Sequence, residues 1–299
     1  VAEADESDRS FLKLTPTVAV VTNIDREHLD TYRDLADVQE AFLGFVNKVP
    51  FYGGAVLCLD DPPVQDILPR VERRVVTYGL SHQASVSARD LELTPTGSSY
   101  TATLDGGTLG RVALAVPGAH NVTNSLAAVA VGLDLDVPFD AVRAGLEAFT
   151  GVDRRFQVRG EARGVLVIDD YGHHPTEIRV TLEALRRRAG ERRTVVLFQP
   201  HRFSRTQALW DDFGKAFHQA DVLWLTDIYP ASEDPIPGIT AEALARAIAG
   251  FGHRQVAWAG DLRASTERLV AEVREGDVVL TLGAGSVWTA GEELLRRRA

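Results

Sequence analysis

Two short blocks of the sequence carry most of the side chains that could do chemistry. The first is DDYGHHPTE, residues 169–177, and the second is QPHRFSRT, residues 199–206. Each block follows an apolar run that is typical of a buried strand, and each leads into a helical pattern. Because open α/β sheets bind ligands at the carboxyl ends of their strands, we expect both blocks at the mouth of one active site.

The first block predicts a polar loop in front of a helix. Pro175 suits the first turn of that helix, and Thr176 and Glu177 suit its positive end. A helix start with solvent-facing histidines would explain any one of these residues, but their convergence favours a functional loop. Two adjacent histidines without a cysteine or a spaced third ligand do not make a zinc pattern. The loop contains the remaining polar groups, Asp170, Tyr171, His173 and His174.

The second block predicts an anion site. Arg202 and Arg205 stand three residues apart beside His201, and Ser204 with Gln207 forms a capping box that would begin the helix. Free N–H groups and two guanidinium groups at a helix entrance would bind a carboxylate or a phosphate. A pair of solvated arginines is the alternative.

Acidic groups in the first half suit a metal ion. Glu3, Asp5, Glu6 and Asp8 could form no more than a solvated segment. After the next predicted strand, however, come further oxygen and imidazole ligands. Carboxylates with one imidazole suit a hard divalent ion such as Mg²⁺ beside phosphates. These further ligands are Asn23, Asp25, Glu27, His28 and Asp30.

Three weaker patterns leave two interpretations each. His120, Asn121 and Asn124 open a helix after Pro117 and Gly118, so Asn121 is either its N-cap or, with Asn124, a contact to a purine edge. Arg154 and Arg155 are either hinge cations that follow phosphate charge or simple linker charges. The loop at 283–286 is either a phosphate-binding turn or a tightly packed one.

The elements that would position these groups form two α/β halves. In the first half, strands at 18–23 and 55–59 flank a helix at 35–49, antiparallel strands occupy 75–116, and helices follow at 120–133 and 139–149. In the second half, strands at 165–169, 194–198, 222–226, 256–259 and 278–282 alternate with helices near 176–189, 205–219, 240–250, 262–274 and 287–298. This alternation predicts a parallel, Rossmann-like, doubly wound sheet. We place the domain boundary so that the halves are 1–152 and 153–299.

Composition narrows the class of protein. The chain has 299 residues, of which 45% are hydrophobic and 25% charged, with a formal net charge of -10. Nucleic acid and anionic membranes would repel that charge, so neither is an expected partner. Cys58 is the only cysteine, which favours a reducing cytoplasm. The sequence does not distinguish a monomer from a homodimer.

With these residues in view, the chain resembles the Mur ligase family of peptidoglycan synthesis, and within it the ligases that join L-alanine to UDP-N-acetylmuramate. The matching blocks follow the family's order over most of the chain. They are EADESD (3–8), VTNIDREHLDTY (21–32), PFYGGAVLCLDDP (50–62), PGAHNVTNSLAA (117–128), RRF (154–156), DDYGHHPTE and FQPHRFSRT.

The resemblance implies a fold for each half of the chain and a role for each candidate site residue. The first half would be the remainder of a central ATP-binding α/β domain, and the second a C-terminal domain that binds the amino acid. Glu3 and His28 would be Mg²⁺ ligands. ATP would contact Asn121, Asn124, Arg155 and Asp170. The L-alanine pocket would comprise Tyr171, His173, His201, Arg202 and Arg205, with His173, His201 and Arg155 as the catalytic groups.

The implied reaction has two steps. ATP phosphorylates the lactoyl carboxylate of UDP-N-acetylmuramate, and the L-alanine amine then attacks the acyl phosphate. His173 or His201 would assist deprotonation of the amine. The family carries its phosphate loop, Gly-x-x-x-x-Gly-Lys-[Ser/Thr], upstream of the point where this sequence begins. We therefore expect this chain by itself to be inactive as a ligase.

Two other functions remain open. The ligase that attaches a recycled tripeptide to the same UDP sugar resembles the chain around HHPT, but its loop typically has Phe-Ala in place of Tyr171 and Gly172, and it lacks the PHRFSRT block. A noncatalytic module that binds a nucleotide or an amino acid is the second alternative.

Overall fold

The computed structural model describes residues 1–28 and 30–299. It divides the chain into two compact units, Val1–Thr150 and Gly151–Ala299. Within the described residues, no helix combines the length and the apolar character needed to cross a lipid bilayer.

The first unit contains one mixed sheet whose strands follow the order of the chain. Strands β1 to β4 run parallel, and β5 and β6 continue the sheet antiparallel. The antiparallel strands predicted over 75–116 are therefore confirmed for the pairs β4–β5 and β5–β6, whereas the prediction is wrong for β3, which pairs in parallel with both β2 and β4. The strands are β1 (Val18–Val21), β2 (Gly54–Cys58), β3 (Val75–Gly79), β4 (Val86–Leu93), β5 (Ser98–Leu104) and β6 (Gly107–Leu114).

Helices cover both faces of this sheet. The helices are α1 (Leu35–Val46), α2 (Pro62–Ile67), α3 (Ala119–Asp134) and α4 (Phe139–Glu147). One apolar cluster joins β1 and β2 to α1 and α2, and another joins β3 to β6 with α3. Asp34 caps α1 by accepting the Asp37 N–H at 2.9 Å, and Asp61 caps α2 by accepting the Val64 N–H at 3.0 Å. The sequence predicted α1, α3 and α4 but not the short α2.

The second unit is a six-stranded sheet of order β11-β10-β9-β12-β8-β7. The predicted parallel pairing holds for β8 to β12, whereas β7 runs antiparallel to β8 and was not predicted. Arg163 and Gly164 join β7 to β8 with φ values of 45° and 71°, as two-residue hairpins require. The strands are β7 (Gln157–Ala162), β8 (Val165–Asp170), β9 (Thr194–Phe198), β10 (Val222–Leu225), β11 (Val256–Trp258) and β12 (Val278–Leu282).

This sheet is doubly wound, as the sequence predicted. Side chains of α5, α7 and α8 share one buried cluster with the sheet, and side chains of α9 and α10 share another cluster. The predicted helix at 205–219 is instead two short helices that meet at Leu209. The helices are α5 (Pro175–Ala189), α6 (Phe203–Ala208), α7 (Trp210–Gly214), α8 (Ala241–Gly250), α9 (Leu262–Glu272) and α10 (Trp288–Arg298).

The order of the strands brings three loops to one edge of the second sheet. Strand β12 lies between β8 and β9, and Leu282 is in register with both Asp170 and Phe198. The chain passes from β8 over β12 to β9 and continues in the same direction to β11, and it then returns to place β12 between β8 and β9. This return reverses the strand order, and α/β sheets bind ligands where the order reverses. The two chemical blocks of the sequence therefore begin at the ends of the two strands that flank β12.

Candidate active site

Asp170 is a buried carboxylate at the end of β8. The N–H groups of Gly172 and Phe156 each donate to it at 2.7 Å. Burial raises the pKa of Asp170 to about 6, although these two hydrogen bonds and Arg155 act in the opposite direction. Because the folded pKa exceeds the ordinary 3.8, this group's contribution to stability is complete below pH 3.8 and is lost as pH rises through 6.

Arg154 holds the start of the second unit against β8. Its Nε donates to Asp169 Oδ2 at 3.0 Å, and its Nη2 donates to the Gly283 carbonyl at 2.7 Å. Its guanidinium lies 5.0 Å from the centre of the Tyr171 ring, and its carbonyl accepts the Tyr171 N–H at 2.6 Å. Asp169 is almost fully buried. Arg154 is therefore a fixed structural cation and not a simple linker charge.

Glu177 organises the loop between β8 and α5. It accepts the N–H groups of His173 at 2.9 Å and His174 at 3.1 Å, and it pairs with Arg155 Nη1 at 3.1 Å. Burial opposes ionisation of Glu177, but His173, Arg155 and the two N–H groups outweigh it and lower its pKa. Helix α5 begins at Pro175 as predicted, with His174 as its N-cap. Arg155, one of the predicted ATP contacts, is half exposed beside this loop.

A row of four rings follows, and the sequence revealed only three of them. The ring centres of Tyr171 and His173 are 5.5 Å apart, and those of His173 and His201 are 5.7 Å apart. Tyr229 then stacks on His201 with an interplanar angle of 10°. Tyr229 lies 28 positions after His201, so no local motif indicated it. The parallel bridge between His201 and Tyr229 brings the two together.

The two predicted anion-binding arginines point to different partners. Arg205 Nη1 lies 3.3 Å from both Nδ1 and the carbonyl oxygen of His201. Arg202 Nη1 lies 3.9 Å from Glu233 Oε1. Ser204 is not the predicted N-cap, because α6 already begins at Phe203; its N–H and hydroxyl donate to Glu233 at 3.0 and 2.5 Å. Glu233 is a further residue that the sequence did not reveal.

His201 is held as a neutral imidazole. Burial lowers its pKa to about 4, and the neighbouring His173, Arg205 and Arg202 act in the same direction, while Glu233 opposes them. The folded pKa lies below the ordinary 6.5, so the stability linked to His201 is complete above pH 6.5 and is lost as pH falls towards 4.

The loop between β12 and α10, predicted to be either a phosphate-binding turn or a tightly packed turn, is tightly packed. Gln199 Oε1 accepts the Val287 N–H at 3.1 Å, and a Cβ at Gly283 would lie 2.6 Å from the Gln199 carbonyl oxygen. A Cβ at Gly285 would overlap Gln199 Oε1 and lie 3.0 Å from the Tyr229 ring. The glycines therefore allow Gln199 and Tyr229 to approach, and the loop is not the open phosphate-binding turn.

This packing makes a testable prediction. Gly285→Ala should destabilise the protein by about 1–3 kcal/mol, because the added methyl group must displace Gln199 or Tyr229. Gly145→Ala is the matched control, since outside its own helix a Cβ at Gly145 would meet no atom of residues 1–28 or 30–299 within 4 Å. The control should stabilise the protein by roughly 0.5–1 kcal/mol. Urea denaturation measures both changes in the free energy of unfolding. Equal urea midpoints for the two variants would contradict the close packing of Gly285 against Gln199 and Tyr229.

In the first unit, the acidic side chains of Glu3, Asp5 and Asp8 are exposed, as a solvated segment would be, and two of them form local turns. Asp5 accepts the Ser7 N–H and Asp8 accepts the Ser10 N–H, each at 2.8 Å. These turns lead into a 3₁₀ helix at Ser10–Lys13, which buries Phe11. The hydrogen bond from the Ser7 side chain is the main cause of the lowered pKa of Asp5, and the Ser7 N–H adds to it.

Among residues 1–28 and 30–299, Glu6, Glu27 and His28 form a group of ligand-type side chains. His28 Nε2 lies 3.3 Å from Glu6 Oε1 and 3.7 Å from Glu27 Oε2, and all three side chains are partly exposed. The hydrogen bond with His28 is the main cause of the lowered pKa of Glu6. Two carboxylates and an imidazole suit a hard divalent cation. Glu3, the ligand that the resemblance implied, is exposed and is not one of this group.

Asn121 and Asn124 lie in the first turns of α3. Gly118, with φ of 101°, is the residue that precedes the helix, so Asn121 is not the N-cap. The Asn121 amide instead donates to the Pro117 carbonyl at 2.7 Å. Asn124 is exposed. Their predicted contact with ATP stays a prediction.

Comparison with known proteins decides the family. Residues 1–132 match the Mur ligase middle domain, and residues 154–285 match the Mur ligase glutamate ligase domain. The chain belongs to the Mur ligase family. These two matches cover most of the sequence, and they agree with the mixed α/β fold of both units.

Relatives within the family are close in sequence. A UDP-N-acetylmuramate–L-alanine ligase of Solibacter usitatus is 56% identical over 297 residues, which are 99% of this chain and 63% of the relative. The ligase of the same name from Geobacter sp. strain M21 is 54% identical and is covered to 64%. The chain thus spans slightly less than two thirds of the length of these Mur ligases.

Solved Mur ligase structures share the fold. The UDP-N-acetylmuramate–alanine ligase of Thermotoga maritima superposes with a TM-score of 0.78 at 26% identity, over 98% of this chain and 62% of that one. A murein peptide ligase of Psychrobacter arcticus superposes with a TM-score of 0.68 at 20% identity, over 96% of this chain and 58% of that one. At that identity the second likeness concerns the fold alone.

Proposed function

We propose that the protein to which this chain belongs is a cytoplasmic ligase that uses ATP to join L-alanine to the lactoyl carboxylate of UDP-N-acetylmuramate. The observation that carries the proposal is the group of His201, Arg205, His173 and Tyr171 at the carboxyl edge of the second sheet. A guanidinium, neutral imidazole and aromatic rings there suit a small amino acid with a carboxylate. The 56% identical relative that bears this name supports the choice of substrates.

The amino acid would be held by its carboxylate. Arg205 and Arg202 supply the positive charge, and charge-assisted hydrogen bonds to a carboxylate are the strong ones. Tyr171, His173 and His201 would form the walls beside the α-carbon. With its pKa near 4, His201 adds no positive charge at neutral pH, so the guanidinium groups carry the attraction.

The nucleotide and metal would use other residues. ATP would contact Asn121, Asn124, Arg155 and Asp170, and Mg²⁺ would be held by Glu3 and His28, with Glu6 and Glu27 beside the imidazole. When bound, Mg²⁺ would neutralise charge on the phosphoryl group during its transfer. Arg155 would supply positive charge for ATP, and its half-exposed side chain pairs with Glu177.

The reaction balances without any redox partner. The lactoyl carboxylate attacks the γ-phosphorus of ATP, which releases ADP and leaves an acyl phosphate. The neutral L-alanine amine then attacks the acyl carbon, phosphate leaves with the electron pair of the broken C–O bond, and the amine loses a proton to a base. The protein's contribution is orientation, charge and one proton transfer.

The recycling ligase fits the loop after β8 less well. Its usual Phe-Ala would place a methyl group at position 172, and a Cβ at Gly172 would lie 2.7 Å from Asp170 Oδ1. The close approach of Gly172 to Asp170 therefore favours the ligase that adds a single amino acid.

The full-length protein provides the test. Phosphate release from ATP should require both UDP-N-acetylmuramate and L-alanine, and mass spectrometry should detect UDP-N-acetylmuramoyl-L-alanine. Release that requires a tripeptide in place of L-alanine would establish the recycling ligase. Nucleotide or amino-acid binding with no release under any of these conditions would establish the noncatalytic binding module.

A further inference from the structure

The hydrogen bonds of His201 fix which of its nitrogens carries the proton. Arg205 Nη1 lies 3.3 Å from His201 Nδ1. A guanidinium has only donors, so Nδ1 must be the acceptor. A neutral imidazole with an accepting Nδ1 carries its hydrogen on Nε2. His201 therefore presents an N–H donor at Nε2 and has its lone pair occupied by Arg205.

His173 has the opposite arrangement. Its Nδ1 lies 3.1 Å from the Tyr171 carbonyl oxygen and 3.6 Å from Glu177 Oε2. Both are acceptors, so Nδ1 must donate, and the lone pair of the neutral ring lies on Nε2. The Glu177 carboxylate also stabilises the imidazolium that forms when Nε2 takes a proton, in the manner of a carboxylate that orients a catalytic histidine.

We propose that the two imidazoles divide the work of the ligase: His173 Nε2 takes the proton from the attacking amine, and His201 Nε2–H donates to an oxygen of the amino acid or acyl phosphate. The assignment of these roles rests on the proposed function. The tautomers do not depend on the proposed function, because each follows from hydrogen-bond partners within the second unit.

Tyr229 is the positioning residue for His201. Its ring stacks on the imidazole at 5.4 Å between centres, and its backbone exchanges hydrogen bonds with the segment around His201. The Tyr229 N–H donates to Pro200 O at 2.8 Å, and the Arg202 N–H donates to Tyr229 O at 2.9 Å. Gly285 approaches the Tyr229 ring from β12's loop, which limits the ring's movement. The imidazole plane is thereby fixed before substrate arrives.

The surrounding charges agree with this division. His201 faces His173, Arg202 and Arg205 on the positive side and Glu233 on the negative side, and burial with these cations keeps it neutral. His173 faces Tyr171, His201 and Glu177, and Glu177 also pairs with Arg155. The Glu177 carboxylate, 3.6 Å from His173 Nδ1, is thus placed to support a proton on that ring, whereas at His201 burial and the cations outweigh Glu233.

Nuclear magnetic resonance of the full-length protein with ¹⁵N-labelled histidine tests the tautomers without any substrate. His201→Gln and His173→Gln variants assign the two rings. We expect His201 to be protonated on Nε2 and to stay neutral at pH 5, and neutral His173 to be protonated on Nδ1. A proton on Nδ1 of His201, or on Nε2 of neutral His173, would overturn the inference even if the protein ligates L-alanine.

Steady-state kinetics of the same protein test the roles. His173→Gln should lower kcat by about 10²–10⁴-fold and remove the acid limb of the pH profile of kcat, as loss of a general base does. His201→Gln keeps an N–H donor at a similar reach, so its kcat should fall several-fold less than that of His201→Leu. Tyr229→Leu should raise KM for L-alanine more than it lowers kcat, and Tyr229→Phe should restore most of the affinity.

The outcomes separate the two proposals. An acid limb that disappears with His201→Gln and persists with His173→Gln would reverse the roles and overturn the inference. A full-length protein with the expected tautomers but without L-alanine ligation would overturn the proposed function and the catalytic roles together. His218→Gln, at an exposed histidine, serves as the control for histidine replacement.

Discussion

Replacing Arg205 with methionine in the full-length protein should raise KM for L-alanine by roughly 10–150-fold, which corresponds to one charge-assisted hydrogen bond of about 1.5–3 kcal/mol. The methionine side chain has similar length but no donor and no charge. KM for ATP should change little, because Arg205 contacts His201 and both belong to the proposed amino-acid site. Initial rates measured over a range of L-alanine concentrations give the result.

Two further variants sharpen this test. Arg205→Lys should be intermediate, since an ammonium keeps the charge but not the planar fork. Arg187→Met removes an exposed arginine from α5 and is the matched control. Equal increases of KM for L-alanine and for ATP in Arg205→Met would indicate general damage to the second unit and would remove Arg205 from the amino-acid site.

If His28 is the proposed Mg²⁺ ligand, replacing it with asparagine should lower kcat/KM by about 10²–10³-fold, because loss of a metal ligand removes several kcal/mol of charge stabilisation. Asparagine is the suitable replacement, since His28 has φ of 53° and asparagine tolerates that backbone conformation. The rate is measured as a function of Mg²⁺ concentration. The variant should require more Mg²⁺ for half of its maximal rate.

The neighbouring carboxylates distinguish the ligand set. Glu3→Gln should lower kcat/KM as much as His28→Asn does, because the proposal makes both residues Mg²⁺ ligands. Glu6→Gln removes one ion-pair partner of His28 and should lower kcat/KM less. His82→Asn, at an exposed position, is the control. A larger loss in Glu6→Gln than in Glu3→Gln would replace Glu3 with Glu6 as the ligand.

Most of the fold could be predicted because buried parallel strands leave continuous apolar runs. Strands β8, β9 and β12 are buried at every position, and the sequence predicts all of them. Strand β7 was missed because it lies at the edge of the sheet and alternates in burial around Gly160. The helix predicted at 205–219 breaks at Leu209, a position that the apolar spacing alone does not mark.

The candidate site was predictable only where neighbours in sequence are also neighbours in space. Pro175 and Glu177 revealed the start of α5, because capping is local. The N-cap predicted at Ser204 was wrong because its hydroxyl donates to a partner that is distant in sequence, Glu233, 29 positions away. Tyr229 likewise reaches His201 only through the pairing of distant segments. Sequence patterns therefore identify the strand ends, while the tertiary fold chooses the partners.

The most direct test of the central claim is a crystal structure of the full-length protein with ADP, Mg²⁺ and L-alanine. We expect the L-alanine carboxylate within hydrogen-bond distance of the Arg205 guanidinium, with the amino acid beside the rings of His173 and His201. L-alanine bound away from the loops that follow β8 and β9 would contradict the account.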